Sequence, residues 1–178
     1  MKNILIILFL TFSYSLCAQR YMTRSAEVYF LSEKEALEIV EATNKQVGAV
    51  IDLGTAEIAF QIQLRAFHFK IALMEEHFNE NYVESDLYPT ATFRGKFTDL
   101  PEKISSEIEL QVQGEMDFHG QKQKMTLPVK VSMNKNILHG TSQFSLLCSD
   151  FGIEIPKIVS DKLSNEIKVI VNAELSKI

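Results

Sequence analysis

Apolar and polar residues alternate with a period of two through most of this chain. Ile58, Phe60, Ile62 and Leu64 are apolar, with Glu57, Gln61, Gln63 and Arg65 between and beside them. Ala91, Phe93, Gly95 and Phe97 alternate with Thr92, Arg94, Lys96 and Thr98. Ile108, Leu110 and Val112 do the same against Glu109, Gln111 and Gln113, as do Met125, Leu127, Val129 and Val131. The last run is Ile167, Val169, Val171, Ala173 and Leu175. Successive strand side chains point to opposite faces, so each segment has one dry face and one wet face. Parallel strands covered on both sides would read as unbroken apolar runs. The pattern therefore predicts an antiparallel sheet, closed as a sandwich or barrel.

Turn residues separate the runs. Leu53-Gly54-Thr55, the stretch 99–102, His119-Gly120 and His139-Gly140 are the turn candidates. Two segments break the alternation. Ile71 to Phe78 has helical spacing, and Pro156 to Leu163 reads as a short helix with proline near its first turn. Ser32 to Glu35 resembles a weak capping box ahead of Ala36 to Ala42; the run continuing to Ile51 favours a strand. The expected class is all-β with one or two short helices.

The first 18 residues read as an address. Lys2 is followed by an apolar run from Ile4 to Phe12, shorter than the roughly 20 residues a spanning helix needs. Small residues then occupy Ser13, Ser15, Cys17 and Ala18. This is the three-part pattern of a secretory signal peptide, with cleavage expected after Ala18. Residues 19–178 then form one domain, in the periplasm or secreted. A lipoprotein site at Cys17 is the competing reading, disfavoured by Leu16 before it. Cleavage would leave Cys148 as the lone cysteine, so no internal disulfide is expected. Its apolar neighbours suggest a buried, inert thiol.

Formal net charge is −5, and loss of Lys2 makes it −6. A phosphate-binding surface needs a basic excess, so no nucleic-acid partner is expected. Hydrophobic residues make up 46% and charged residues 23%, which excludes a disordered chain.

The run Met74-Glu75-Glu76-His77-Phe78-Asn79-Glu80-Asn81-Tyr82, followed by Tyr88-Pro89-Thr90-Ala91-Thr92-Phe93-Arg94-Gly95, resembles the signature of the YceI-like, lipid/polyisoprenoid-binding family. Gly114 to Gly120, Thr126 to Val129 and Phe144 to Ile153 resemble its later motifs in order, over roughly residues 25–175. Met116 stands where Leu is usual, and Gln121-Lys122 replaces a common Val-Thr. The resemblance implies a lipocalin-like antiparallel β-barrel with an amphiphilic chain, such as an isoprenoid quinone or fatty acyl group, in its lumen.

That reading makes Ile58, Phe60, Ile62, Leu64, Phe93, Ile108, Leu110, Val112, Phe118, Leu127, Val129, Phe144 and Leu146 candidates to line the lumen. It gives His77, Phe78, Asn79, Tyr82, Tyr88, Pro89, Gly95, His119 and Gly120 rim or structural roles. Any tunnel is expected to open near 71–90. The partner is a hydrophobic small molecule, with peripheral contact to a membrane and the oligomeric state left open. No cofactor is expected beyond such a lipid.

Every half-buried sheet alternates, however, so a filled core competes with a cavity. In that alternative the protein is a solid-cored interaction or stress-response module. Its acidic run of Glu75, Glu76, Glu80, Glu84 and Asp86 would bind a partner. Among His68, His77, His119 and His139, only His77 with Glu80 has spacing suited to one helix face, and neither HExxH nor CxxC occurs. No metal site is assigned. No G-x-S-x-G elbow accompanies Ser142 or Ser145, and no nucleotide-binding glycine motif is present. The chain is accordingly read as a non-enzymatic binder with no catalytic residues.

Overall fold

The computed structural model describes residues 19–32, 39–155 and 163–178. The proposed signal segment, the stretch 33–38 and most of the helix expected at 156–163 lie outside them. Strands β1 (Arg20–Ser32), β2 (Val40–Asp52) and β3 (Glu57–Gln63) are followed by a two-residue strand β4 (His68–Phe69) and a short helix α1 (Ala72–His77). Then come β5 (Thr90–Phe97), β6 (Ile108–Phe118), β7 (Gln121–Asn134), β8 (Ile137–Leu147) and β9 (Glu166–Lys177).

Every pairing is antiparallel. The order is β1-β9-β8-β7-β6-β5-β3-β2, and β1 pairs back onto β2, which closes an eight-stranded barrel. The short β4 attaches to β2 through Ala42↔Phe69 and Thr43↔His68. Closure removes the exposed edges of an open sheet.

Turn chemistry sets the register. His119 and Gly120 have φ of +50° and +71°, the left-handed pair of a two-residue hairpin turn between β6 and β7. Lys135 and Asn136, at +47° and +67°, make the matching turn between β7 and β8. His139-Gly140 is therefore not a turn. Both residues lie within β8, opposite Glu174 and Ala173 of β9. Between β2 and β3, the Asp52 carboxylate accepts from the backbone N–H of Gly54 and Thr55, at 2.9 and 3.2 Å. It also accepts from Arg20 Nε at 2.8 Å, and this guanidinium holds the Asp52 carboxyl below its usual range.

The turns at 53–56 and 135–136, the connection 98–107, the start of β1 and the end of β9 lie at one end of the barrel. That end is packed solid. Tyr21, Phe97, Val131, Leu138 and Leu175 are buried there, with Ile104 tucked in from the connection. The opposite end receives the end of β1 at Ser32, the start of β2 at Val40, the segment 64–89, the His119-Gly120 turn and residues 148–155.

The sheet splits in two places toward that second end. β2 leaves β3 above Gly48↔Gln61. There the fully buried Asn44 side chain donates to the Gln63 carbonyl at 2.8 Å and bridges the gap. β8 leaves β7 above Val129↔Ser142. The cause is Pro128. It falls where the ladder requires a donor toward β8, and proline has none. Its carbonyl accepts instead from the Ser142 hydroxyl at 2.6 Å.

Candidate functional site

The inward faces enclose a cavity of about 500 Å³. The sequence-level alternative of a solid core is not what the chain builds, since ligand pockets run to about 300–1,000 Å³. Eleven of the thirteen residues expected to line a lumen do so: Ile58, Phe60, Ile62, Leu64, Phe93, Val112, Phe118, Leu127, Val129, Phe144 and Leu146. Ile108 and Leu110 are the exceptions. They share the inward face with Val112 but pair with Val131 and Val129 nearer the closed end, where they pack against the core as half-buried residues.

The mouth is aromatic. Phe78 stacks on Phe30 with ring centres 5.6 Å apart, and Phe67 and Phe69 meet Phe78 at 5.6 and 5.1 Å. Edge-to-face and offset contacts of this kind are the favoured aromatic geometries. Phe78 reaches them because the chain widens into a single π-turn, Phe78–Tyr82, directly after α1. Asn79 holds that turn, donating to the Glu75 carbonyl at 2.8 Å and accepting from the Ser85 N–H through its own carbonyl. Glu75 in turn accepts from the Phe69 N–H at 3.1 Å. Ile71, Leu73, Met74, His77 and Tyr82 also line the cavity, which places its mouth at the 71–90 segment. Ile71 and Leu73 remain 45% and 57% exposed, beside Leu147 at 42%, so the rim itself is apolar.

Inside, the walls are dry. No Lys, Arg, Asp or Glu lines the cavity among the described residues. Two of the hydroxyls on the wall are engaged with backbone: Ser142 donates to the Pro128 carbonyl, and the Ser32 hydroxyl oxygen accepts from the Ser164 N–H at 2.9 Å. Burial raises the Tyr82 hydroxyl above its ordinary value and pushes the Cys148 thiol up to about 11. Both shifts mark surroundings that solvate charge poorly.

The remaining motif residues form a clasp outside the cavity. His119 Nδ1–H donates to the Phe151 carbonyl at 2.9 Å, and its Nε2 lies 3.0 Å from the Glu84 carboxylate. The Tyr88 ring sits 4.6 Å from the His119 ring and fills the space a side chain at Gly120 would need. Pro89 accepts from the Leu64 N–H. The clasp thus joins the 83–89 loop, the β6–β7 turn and the short turn at Cys148–Phe151. Gly95 is structural too: a Cβ there would meet the Gln113 carbonyl and Val112 at 2.8 Å.

The acidic run is partly consumed within the chain. Glu75 and Glu84 bond as described, and Asp86 pairs with Arg65. Among the described residues, no group of three His, Cys, Asp or Glu side chains is arranged to hold a metal ion.

Sequence reasoning missed Phe30, Phe67 and Phe69. Phe67 and Phe69 stand two apart in Ala66-Phe67-His68-Phe69, which alternation could have flagged. Phe30 was hidden because β1 was not read as a strand. Val169, Val171 and Ala173 also line the cavity, as their plain alternation allows.

Comparison with known proteins agrees with this geometry. A model of the YceI-like domain matches residues 23–175. A polyisoprenoid-binding domain from Saccharophagus degradans superposes with a TM-score of 0.77 at 13% identity, covering 90% of this chain and 99% of that one. BcnA of Burkholderia cenocepacia gives 0.71 at 17% identity, over 85% and 96% of the two chains. The YceI protein of Campylobacter jejuni gives 0.63 at 16%, over 80% and 87%. At such identities the likeness is one of fold. No protein of curated function matches. The domain match spans most of the sequence, and the chain belongs to the YceI-like family.

Proposed function

We propose that this member of the YceI-like family binds and carries a single amphiphilic lipid, its apolar chain inside the barrel and its polar end at the mouth. The ligand class is an isoprenoid quinone or fatty acyl chain, and the protein acts as a secreted or periplasmic binder rather than an enzyme. The observation that carries this reading is the cavity of about 500 Å³ with no charged wall residue among the described residues. A solved relative described as a polyisoprenoid-binding domain supports it.

The energetics are sufficient. Each buried methylene contributes about 0.8 kcal/mol, so about 15 buried carbons contribute about 12 kcal/mol. Association costs at least about 4 kcal/mol, which leaves up to about 8 kcal/mol, a micromolar Kd. No specific polar contact is needed, so selectivity rests on length and shape. The exposed Ile71, Leu73 and Leu147 supply an apolar rim for peripheral contact with the membrane that donates the chain.

The test is native mass spectrometry of protein purified from its own cell envelope, followed by titration with quinones and fatty acids. A co-purifying hydrophobic ligand is expected. Empty protein that binds neither class would overturn the proposal. N-terminal sequencing of the envelope fraction is expected to begin at Gln19.

A further inference from the structure

Three glycines on barrel strands face the interior, and two of them are occupied. A Cβ at Gly95 would lie 2.8 Å from Val112 and 3.0 Å from the Phe93 ring. A Cβ at Gly114 would lie 2.6 Å from the same ring and 2.4 Å from the Arg94 carbonyl. These two exist so that Phe93 can lie across the β5–β6 pair. Gly140 differs. A Cβ there would meet nothing within 4 Å, although the residue is buried.

The empty space is the cavity, which Gly140 lines. Its position is the floor. One inward step down β8 is Leu138, fully buried in the closed end and no part of the cavity wall. The neighbour opposite Gly140 on β9 is Ala173, which also lines the cavity, and one step below it is Leu175, again fully buried. On the other side Gly140 faces Val131, buried and outside the cavity wall. Strand side chains stand roughly perpendicular to the sheet, so each inward position occupies one level of the barrel. Here β8 and β9 contribute only a hydrogen and a methyl group to the wall.

We propose that Gly140, with Ala173, is the depth gauge of the site: the missing side chain at this rung sets the longest apolar chain the barrel accepts. The inference rests on the lipid-binding reading above and adds to it the residue that fixes ligand length. A methyl group at 140 needs no movement of protein atoms, since a Cβ there meets nothing within 4 Å, and a larger side chain grows from it into space the end of the ligand would otherwise fill. It therefore acts on long chains and spares short ones.

The test is a graded series of straight-chain saturated fatty acids, titrated against native protein, Gly140→Ala and Gly140→Leu. Each methylene denied burial weakens binding about fourfold. Gly140→Leu is expected to cost the longest accommodated chains on the order of 50-fold, for about three methylenes expelled. Chains too short to reach the floor keep their native affinity. Gly140→Ala is expected to shift the same limit by about one carbon, and it carries the test if the leucine variant fails to fold. An unmoved length limit in a folded variant overturns the gauge, as does an equal loss at every length. Native protein that binds no member of the series removes the chain-binding reading itself, and the gauge with it.

Discussion

Replacing His119 by alanine should unfasten the clasp without touching the cavity. The imidazole bonds the Phe151 carbonyl at 2.9 Å and faces Glu84 at 3.0 Å, and its ring meets Tyr88 at 4.6 Å. Phe151 is only 2% exposed, so its carbonyl loses a donor that water cannot readily replace. An orphaned buried acceptor costs about 1–3 kcal/mol. Loss of the ring contact costs about 0.5–1.5 kcal/mol more. The Glu84 side chain is 45% exposed, so water takes over that contact at little cost. The expected loss is about 3 kcal/mol, which for a domain of this size lowers Tm by about 6–12 °C. Urea unfolding followed by far-UV circular dichroism reads the free energy, and calorimetry reads Tm. A Tyr88→Leu variant and the double variant complete a thermodynamic cycle, in which the double variant should lose less than the sum of the two single losses. Chain binding measured well below the lowered Tm should be unchanged, because neither His119 nor Tyr88 lines the cavity and Phe151 meets His119 through its backbone carbonyl. A loss under about 1 kcal/mol would refute the role given to this histidine.

Further predictions follow from other details. Gly114→Ala puts a methyl 2.4 Å from the Arg94 carbonyl and 2.6 Å from the Phe93 ring, so it should destabilise by at least about 1–3 kcal/mol in the same urea assay. Cys148, with its thiol raised to about 11, should alkylate far more slowly in folded than in urea-unfolded protein at pH 8, and more slowly still with a chain bound. Because burial favours the neutral thiol, its contribution to stability is whole below about pH 9 and falls as pH climbs from there toward 11, measurable as a declining Tm. Above Pro128, the alternate residues Lys122, Lys124 and Thr126 aim their backbone groups at the β7–β8 split. Their amides should exchange with deuterium faster than those of Gln123, Met125 and Leu127, which point toward β6.

Much of this architecture can be read in the residues, because half-buried antiparallel strands write a two-residue period. β3, β5, β6, β7 and β9 follow it closely. β1 escapes it. Its register slips between Thr23 and Ala26 and again before Val28, so the buried face passes from Tyr21 to Ala26 and Val28 and the alternation is lost. Gly140 misled for the opposite reason: glycine after a polar residue suggests a turn, whereas here the missing side chain leaves room inside a strand. The candidate site was legible as a face but not as a volume. Periodicity says that Ile108, Leu110 and Val112 point inward. It cannot say that only Val112 reaches the cavity, because that depends on height along the barrel, set by register and by which end is plugged. The clasp was visible only as conspicuous letters. Its partners Glu84 and Phe151 lie 35 and 32 residues from His119, beyond any local pattern.

The central claim is that the interior holds an apolar chain, and nuclear Overhauser effects between protein methyl groups and a bound straight-chain fatty acid test it most directly. The account predicts contacts from the methyls of Val112, Val129 and Val169, three wall residues on different strands, to carbons along one chain. Contacts confined to exposed rim residues such as Leu73, or saturable binding that leaves those three valines untouched, would contradict it.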